Sequence, residues 1–448
     1  MLTLCHTGDW HLGHTLYRRS REPEHAAFLA WLLDQLVLRR ADALIVAGDV
    51  FDSGSPSGSA QAMFYGFLAE ARRRVPELAI VVVAGNHDSP ARLAAPDALV
   101  RAHGVTLIGS VLDGSGRVDV ERLVVPLRRE GRIEASIAAV PFLRSADLPV
   151  LASGEEEGEG AHARGCRRVY DEVLAYARSL ASGVPIVATG HFAAAGARMS
   201  RESERLLAVG VDGTLPVDVV DPEAVSYLAL GHLHLPQLVR RLPRGEARYA
   251  GAPIPLSFAE RQLEHEVRFV RVSEGRAESE GVPVPRRVEL RRVPDEGLLE
   301  VGEALEALAA FPAREAAEAG ETWWPWVEVR VRAAAGERGV VERIEEAAGR
   351  RALHLVRVAV EVPDAERERA MREATALASL DVRDVLRARW QAEHGEPPDA
   401  SVLDALDEAT REARARLEAQ SVRGVELEAE RAWVRPLAAA ARRRELED

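Results

Sequence analysis

The chain has 448 residues, enough for about three domains, and an apolar share of 47% supports a sizeable core, mostly aliphatic because aromatics make up only 5%. A net charge of −13, with all 58 basic residues being arginine, excludes a uniformly basic nucleic-acid sleeve but not a local basic groove. Two cysteines, Cys5 and Cys166, exclude a disulfide framework and fit a reducing compartment.

The first 285 residues alternate strands and helices, as an α/β layered domain should. The strand Leu2–Thr7 runs directly into Gly8-Asp9, with His11 just beyond, and no leader is expected before it. The spacing predicts a helix from Pro23 to Arg40 with Phe28, Trp31, Leu32 and Leu36 on one face. Ala43–Ala47 then leads to Gly48-Asp49. A second helix near Ser57–Arg74 stacks Met63, Phe64, Phe67 and Leu68, and Ala79–Ala84 leads to Gly85-Asn86-His87-Asp88. Past Gly104 the pattern predicts strands at Val105–Ile108, Val118–Val125 and Ile133–Val140, with Cys166 beside a polar loop. Ser153–Gly165, rich in Gly and Glu, reads as a solvated insertion. After a helix near Tyr170–Ala181, Val184–Thr189 leads to Gly190-His191, and Val225–Leu230 to Gly231-His232, with His234 beyond.

Residues 286–363 read as a compact α/β module. Val327, Val329 and Val331 alternate with charged residues, a helix is expected near Glu337–Ala348, and another strand carries Val356, Val358 and Val360. Residues 364–448 read as a helical tail. Asp381 is placed to cap a helix bearing Val382, Val385, Leu386 and Trp390. Gly395-Glu396-Pro397-Pro398 breaks it, and Leu403, Leu406, Ala413 and Leu417 mark the next helix. No apolar run approaches the roughly 20 residues that span a bilayer, so a cytoplasmic protein without a membrane partner is expected.

Five strands thus end in glycine followed by Asp, Asn or His. Strand ends are where layered α/β proteins build sites, and the glycine lets the next side chain approach a shared point. Taken singly, Asp9 is as easily a turn residue, His191 a core histidine and Asn86 a helix cap. Together, Asp9, His11, Asp49, Asn86, His191, His232 and His234 would be costly to bury without a cation. Asp9-x-His11 and His232-x-His234 are expected to be extended, so that each pair presents two side chains on one side. Asp49 can bridge two cations, since a carboxylate has two oxygens. Mixed oxygen and imidazole donors suit manganese, magnesium or iron better than calcium, and the lack of thiolates argues against structural zinc. Two cations so placed suit phosphoester hydrolysis. His87 is expected to protonate the leaving oxygen or stabilise the phosphate, and Asp88 either to orient a histidine or to cap the segment at Ser89-Pro90.

This ordered set resembles that of the calcineurin-like metallophosphoesterase superfamily. Gly8-Asp9-Trp10-His11-Leu12-Gly13, Ala47-Gly48-Asp49-Val50-Phe51-Asp52 and Tyr249-Ala250-Gly251-Ala252-Pro253-Ile254-Pro255-Leu256-Ser257-Phe258 are similar to segments of the SbcD family, bacterial relatives of the Mre-type nucleases. His394-Gly395-Glu396-Pro397-Pro398 looks like part of that family's helical C-terminus. The resemblance implies a layered calcineurin-like phosphoesterase sandwich (1–285), a small α/β capping domain (286–363) and a helical tail (364–448). It implies two manganese ions, one held by Asp9, His11, Asp49 and His234 and the other by Asp49, Asn86, His191 and His232. His87 would be catalytic, with Asp88 and Asp52 behind the ligands; Asp52 stands where archaeal and eukaryotic relatives carry a histidine. The family also implies an SbcC ATPase partner bound through the tail, and a homodimer formed through helices at Ser57–Arg74 and Ala91–Ala102. Its members act near the nucleoid on DNA ends, hairpins and single strands. The alternatives are a phosphatase or cyclic-nucleotide phosphodiesterase on the same fold, and a DNA-end-tethering scaffold.

Overall fold

The computed structural model describes residues 1–149, 160–199, 214–317, 320–334 and 337–361, then short stretches and single residues between 383 and 411. The early part of the acidic insertion, Asp381, and the tail's end with Arg442–Arg444 lie outside the described residues. Where the tail is described, 402–409 is helical, and Asp399 accepts the Val402 amide at 3.1 Å.

Two six-stranded sheets face one another. In the first, Leu2–Thr7, Ala43–Ala47, Ala79–Val83 and Val105–Ile108 run parallel, and Glu266–Ser273 and Arg276–Pro283 extend it antiparallel beyond Leu2–Thr7. In the second, Arg132–Ala138, Ile186–His191, Tyr227–Gly231 and Gly245–Tyr249 run parallel, with antiparallel edges Val124–Arg129 and Gln237–Leu242. Side-chain alternation sorts the first sheet's residues between two cores. Leu4, Ile45, Val81 and Val83 join Ile137, Leu228 and Leu230 of the second sheet. Cys5, Leu44, Val46, Ile80 and Val82 pack instead against two helices. The helix Glu22–Leu38 begins with a proline and two acids in its first turn, favourable for the helix dipole. It buries Phe28, Leu32 and Leu36, as expected, with Leu29 and Leu33. The helix Gly58–Arg74 is capped by Ser57, whose hydroxyl accepts the Ala60 amide at 3.2 Å, and it ends on three arginines.

Three expectations are corrected. Val118–Val125 is not one strand: the Asp119 carboxylate accepts the Arg122 amide and starts a short helix, Val120–Leu123, before the strand opens at Val124. The long helix starts at Ala161, inside the stretch read as loop, and runs to Leu180. Its polar composition hides a buried stripe of Cys166, Val169, Tyr170, Val173 and Ala177, so Cys166 is a core residue. The expected helix at Ala91–Ala102 is two short turns, Pro90–Ala94 and Asp97–Arg101, because Pro96 interrupts it.

In the α/β module that follows the two sheets, the third module, Trp326–Arg332 is the central strand, with Leu290–Val293, Leu299–Glu300 and His354–Glu361 all parallel to it. Val327, Val329 and Val331 pack on Ala304 and Leu308 of the helix Val301–Ala309 and on Ile344 of the helix Val340–Gly349. The module meets the sandwich through Trp326, Leu290, Val288, Phe258 and Leu16. The Arg21 guanidinium lies 5.2 Å over the Trp326 ring while pairing with Glu24 and donating to the Pro255 carbonyl at 2.7 Å. Among the described residues no helix is long and apolar enough to cross a membrane.

Leu32 is fully buried in the helix-side core. Leu32→Ala is expected to lower unfolding stability by about 2–5 kcal/mol, seen as a lower urea midpoint with an unchanged slope.

Candidate metal centre

The five junctions lie at the carboxyl ends of parallel strands, and the two sheets close on one another there. A Cβ on Gly231 would stand 1.9 Å from the Ala47 carbonyl oxygen, and one on Gly48 2.2 Å from His191 Nδ1. Glycine is therefore obligatory where the two sheet ends touch. The ligand segments are not extended as expected. Asp9, His11 and Asp49 have φ of 51°, 47° and 47°, and His232 has φ of 100°. Non-glycine residues rarely hold this left-handed conformation, and it tends to gather at functional sites. Here it is fixed by ties between the junctions: the Asp9 amide donates to the Gly48 carbonyl and the His11 amide to the Asp49 carbonyl, both at 3.0 Å.

All seven candidate ligands converge. Asp9, His11 and Asp49 form one buried group with ligand atoms within 4.8 Å of one another, and Asp49, His191 and His232 form another. Asp49 belongs to both: its Oδ2 is 3.6 Å from His11 Nε2 and 3.4 Å from His191 Nε2. Asn86 joins the second group, its Oδ1 lying 2.9 Å from His191 Nε2 and 2.8 Å from His232 Nδ1. His234 joins the first, its ring centroid 5.2 Å from that of His11. His232 and His234 thus serve opposite halves, divided by the kink at His232 rather than by strand alternation.

The surrounding residues set the rings. His191 Nδ1 donates to the Ala47 carbonyl at 2.8 Å, which turns Nε2 into the cluster. His87 Nδ1 donates to the Asp52 carbonyl at 3.0 Å, and its amide donates to Asp49 Oδ1 at 2.8 Å. His87 is half-buried beside His11, with ring centroids 4.8 Å apart. The Asp52 carboxylate lies 3.3 Å from His11 Nδ1 and 3.0 Å from His14 Nδ1. Asp88 neither orients a histidine nor caps Ser89-Pro90. It accepts the amides of Gly85, Val50 and Phe51 at 2.9, 3.1 and 3.0 Å, clamping the Asp49 turn to the Asn86 turn.

Four contributors were not anticipated from the sequence. Glu260, buried, lies 3.1 Å from His234 Nδ1, so any ligation by that ring runs through Nε2. His14 sits between Asp52 and the Leu256 carbonyl, 3.1 Å away. Phe142 stacks on His232 at an interplanar angle of 17° and meets His191 edge-on. Arg144 lies over Phe142 and reaches the Asn86 carbonyl at 3.4 Å. Phe142, Arg144 and Glu260 share one signal, an aromatic or charged residue in an apolar, proline-containing stretch that follows a strand: Pro141-Phe142-Leu143-Arg144 and Pro255-Leu256-Ser257-Phe258-Ala259-Glu260; His14 carries no such mark.

The site demands positive charge. Asp9 and Asp49 are only 0% and 2% exposed. Burial pushes the Asp9 carboxyl up. Burial acts on Asp49 as well, but His191, His11 and His87 outweigh it and hold that carboxyl well below the usual range. Burial disfavours charge on His191, yet Asp49 and then Asp9 push its pKa up to about 9. Asp9 Oδ2 and His11 Nε2 are buried with no hydrogen-bond partner. Such atoms are costly to leave unpaired, and a cation accepts them both. Two divalent ions shared through Asp49 therefore fit the residues present, and a donor set of oxygen and imidazole is suited to manganese, iron or magnesium.

The profile of the calcineurin-like phosphoesterase family matches residues 2–236, and that of the type 5 capsule protein repressor C-terminal domain matches residues 286–394. The chain belongs to the calcineurin-like phosphoesterases. It is 44% identical over 309 residues to the SbcD subunit of the SbcCD nuclease from Rhodobacter capsulatus, covering 68% of this chain and 75% of that protein. It is 36% identical over 289 residues to the corresponding subunit from Escherichia coli K12, covering 63% and 68%. For the Bacillus subtilis protein of the same name the identity is 32% over 277 residues, covering 61% and 67%. Within the calcineurin-like phosphoesterases its place is among the SbcD proteins.

Glu260→Ala is expected to weaken divalent-metal binding about 10- to 100-fold if His234 ligates, since a carboxylate behind a ligating imidazole fixes its orientation. Isothermal titration of metal-stripped protein measures this directly.

Proposed function

We propose that this chain is the nuclease subunit of a two-protein complex, a metal-dependent phosphodiesterase that cleaves DNA and works with an SbcC ATPase. The observation that carries the reading is Asp49, buried and shared by two groups of donors at the meeting point of the two sheets. Asp9, His11, Asp49 and His234 would hold one ion, and Asp49, Asn86, His191 and His232 the other, manganese being the expected metal. Bound there, the pair of ions would supply an activated water and neutralise charge on the phosphate. The chain's own residues do the rest. The rigid junctions hold the donors in place, so little reorganisation is needed as charge develops. His87 donates from Nδ1 to the Asp52 carbonyl, and its Nε2, when the ring is protonated there as well, gives that proton to the leaving oxygen.

The relatives are named as subunits of a nuclease, which supports DNA rather than a small phosphoester as substrate. In this reading residues 1–285 are the catalytic domain, 286–363 a DNA-capping module and 364–448 the SbcC-binding tail. ATP-dependent trimming of duplex ends, endonucleolytic cutting of hairpins and single strands, and a homodimer belong to the same proposal.

Purified protein with manganese is expected to cut single-stranded and hairpin DNA, and chelator to abolish the cutting. Turnover of nitrophenyl phosphoesters with no cleavage of any DNA would overturn the assignment. His87→Ala is expected to bind manganese as the parent does while DNA turnover falls roughly 100- to 10,000-fold. Paired titrations and cleavage rates check the two halves. Removing residues 364–448 is expected to spare basal cleavage and abolish capture of SbcC in a pull-down; retained capture would place the contact elsewhere.

A further inference from the structure

The segment after the strand Arg132–Ala138 has no part in the ligand set, yet it crosses to the other sheet beside it. The Phe142 amide donates to the Ala84 carbonyl at 2.8 Å, one residue before Gly85. Phe142 is then pressed flat on His232, with ring centroids 6.4 Å apart. Arg144 follows. Its guanidinium lies 5.4 Å from the Phe142 ring centroid, its Nη2 donates to the Asn86 carbonyl at 3.4 Å, and its Nη1 is 3.6 Å from Asp147 Oδ2. The side chain is 34% exposed. Among the described residues it is the arginine whose hydrogen bond reaches a member of the ligand set.

These contacts fix the guanidinium in place. The Phe142 ring, the Asn86 carbonyl and Asp147 hold it on three sides, leaving Nε and the second hydrogen of each Nη for a phosphate. It stands one backbone group outside the ligand shell, on the side of His191 and His232. Its contact is with the Asn86 backbone and not with a side-chain donor of the cluster, which suits it to a phosphate next to the reacting one rather than to the reacting one itself. We propose that Arg144 binds the phosphate flanking the scissile one on the His232 side, so that the enzyme recognises a polynucleotide rather than an isolated phosphodiester. This deepens the DNA-cleaving reading and rests on it.

The test compares Arg144→Gln and Arg144→Lys with the parent on two substrates, a single-stranded oligonucleotide and bis(nitrophenyl) phosphate, which has no second phosphate. Arg144→Gln is expected to raise KM for the oligonucleotide roughly ten- to a hundredfold, as for loss of a charge-assisted hydrogen bond, with kcat little changed. Turnover of the nitrophenyl diester should fall far less than cleavage of the oligonucleotide. The salt dependence of log KM for the oligonucleotide should flatten by about 0.7, the single-strand value for one lost contact. Arg144→Lys should recover most of the salt slope and only part of the affinity, since an ammonium keeps the charge without the fork. Equal losses on both substrates would place Arg144 at the reacting phosphate and overturn the assignment. An unchanged KM and slope on DNA would overturn it alone, whereas a parent enzyme inactive on all DNA would overturn the nuclease reading first.

Discussion

Asp49 is a buried carboxylate approached by imidazoles from two sides, and the local architecture follows from that charge. Burying such a group is unfavourable unless its oxygens are ligated or hydrogen-bonded. The chain meets this demand with one oxygen on the His87 amide and the other between His11 and His191. Holding it there requires the left-handed turn at Asp49, which the Asp88 clamp on the following two amides stabilises. That clamp is itself a buried acid, pushed up to about 6 by burial and by Asp49, while the three amides it accepts pull it back. The price of one shared carboxylate is a second that does no chemistry.

Much of this was legible in the sequence, because apolar runs ending in glycine and a polar residue report strand ends directly. The seven candidate ligands and His87 all come from that pattern, and all lie together. The backbone at the ligands was not legible. Period-two spacing suggested extended segments, but hydrogen bonds between turns distant in the chain impose positive φ on Asp9 and His11. The role of Asp88 is hidden for the same reason: its partners Val50 and Phe51 lie 38 and 37 residues away and leave no local mark. Glu260 stands 26 residues beyond His234 and is chosen by the fold, not by a motif. The helix at Ala161 is obscured because its buried positions include glycine, cysteine and alanine, weak signals among many arginines.

The third module is joined to the sandwich by apolar packing and by arginines that use their flat faces. Arg21 stacks on Trp326, Arg292 lies 5.9 Å over Phe258, and Arg357 lies over Tyr17 while donating to its hydroxyl at 3.0 Å. In a chain without lysine such contacts come readily, since a guanidinium stacks where an ammonium does not.

The turn Leu256–Glu260 carries a consequence beyond packing. Its Leu256 carbonyl holds His14, which holds Asp52 beside His11, and its Glu260 holds His234. Phe258 in the same turn packs with Leu290 and Trp326 of the third module. The other half of the cluster is anchored on Ala47, Asn86 and Phe142, within the sandwich. The two halves of the cluster are therefore braced differently: the His11–His234 half leans on a turn that also packs against the outer module, and the His191–His232 half on the sandwich alone.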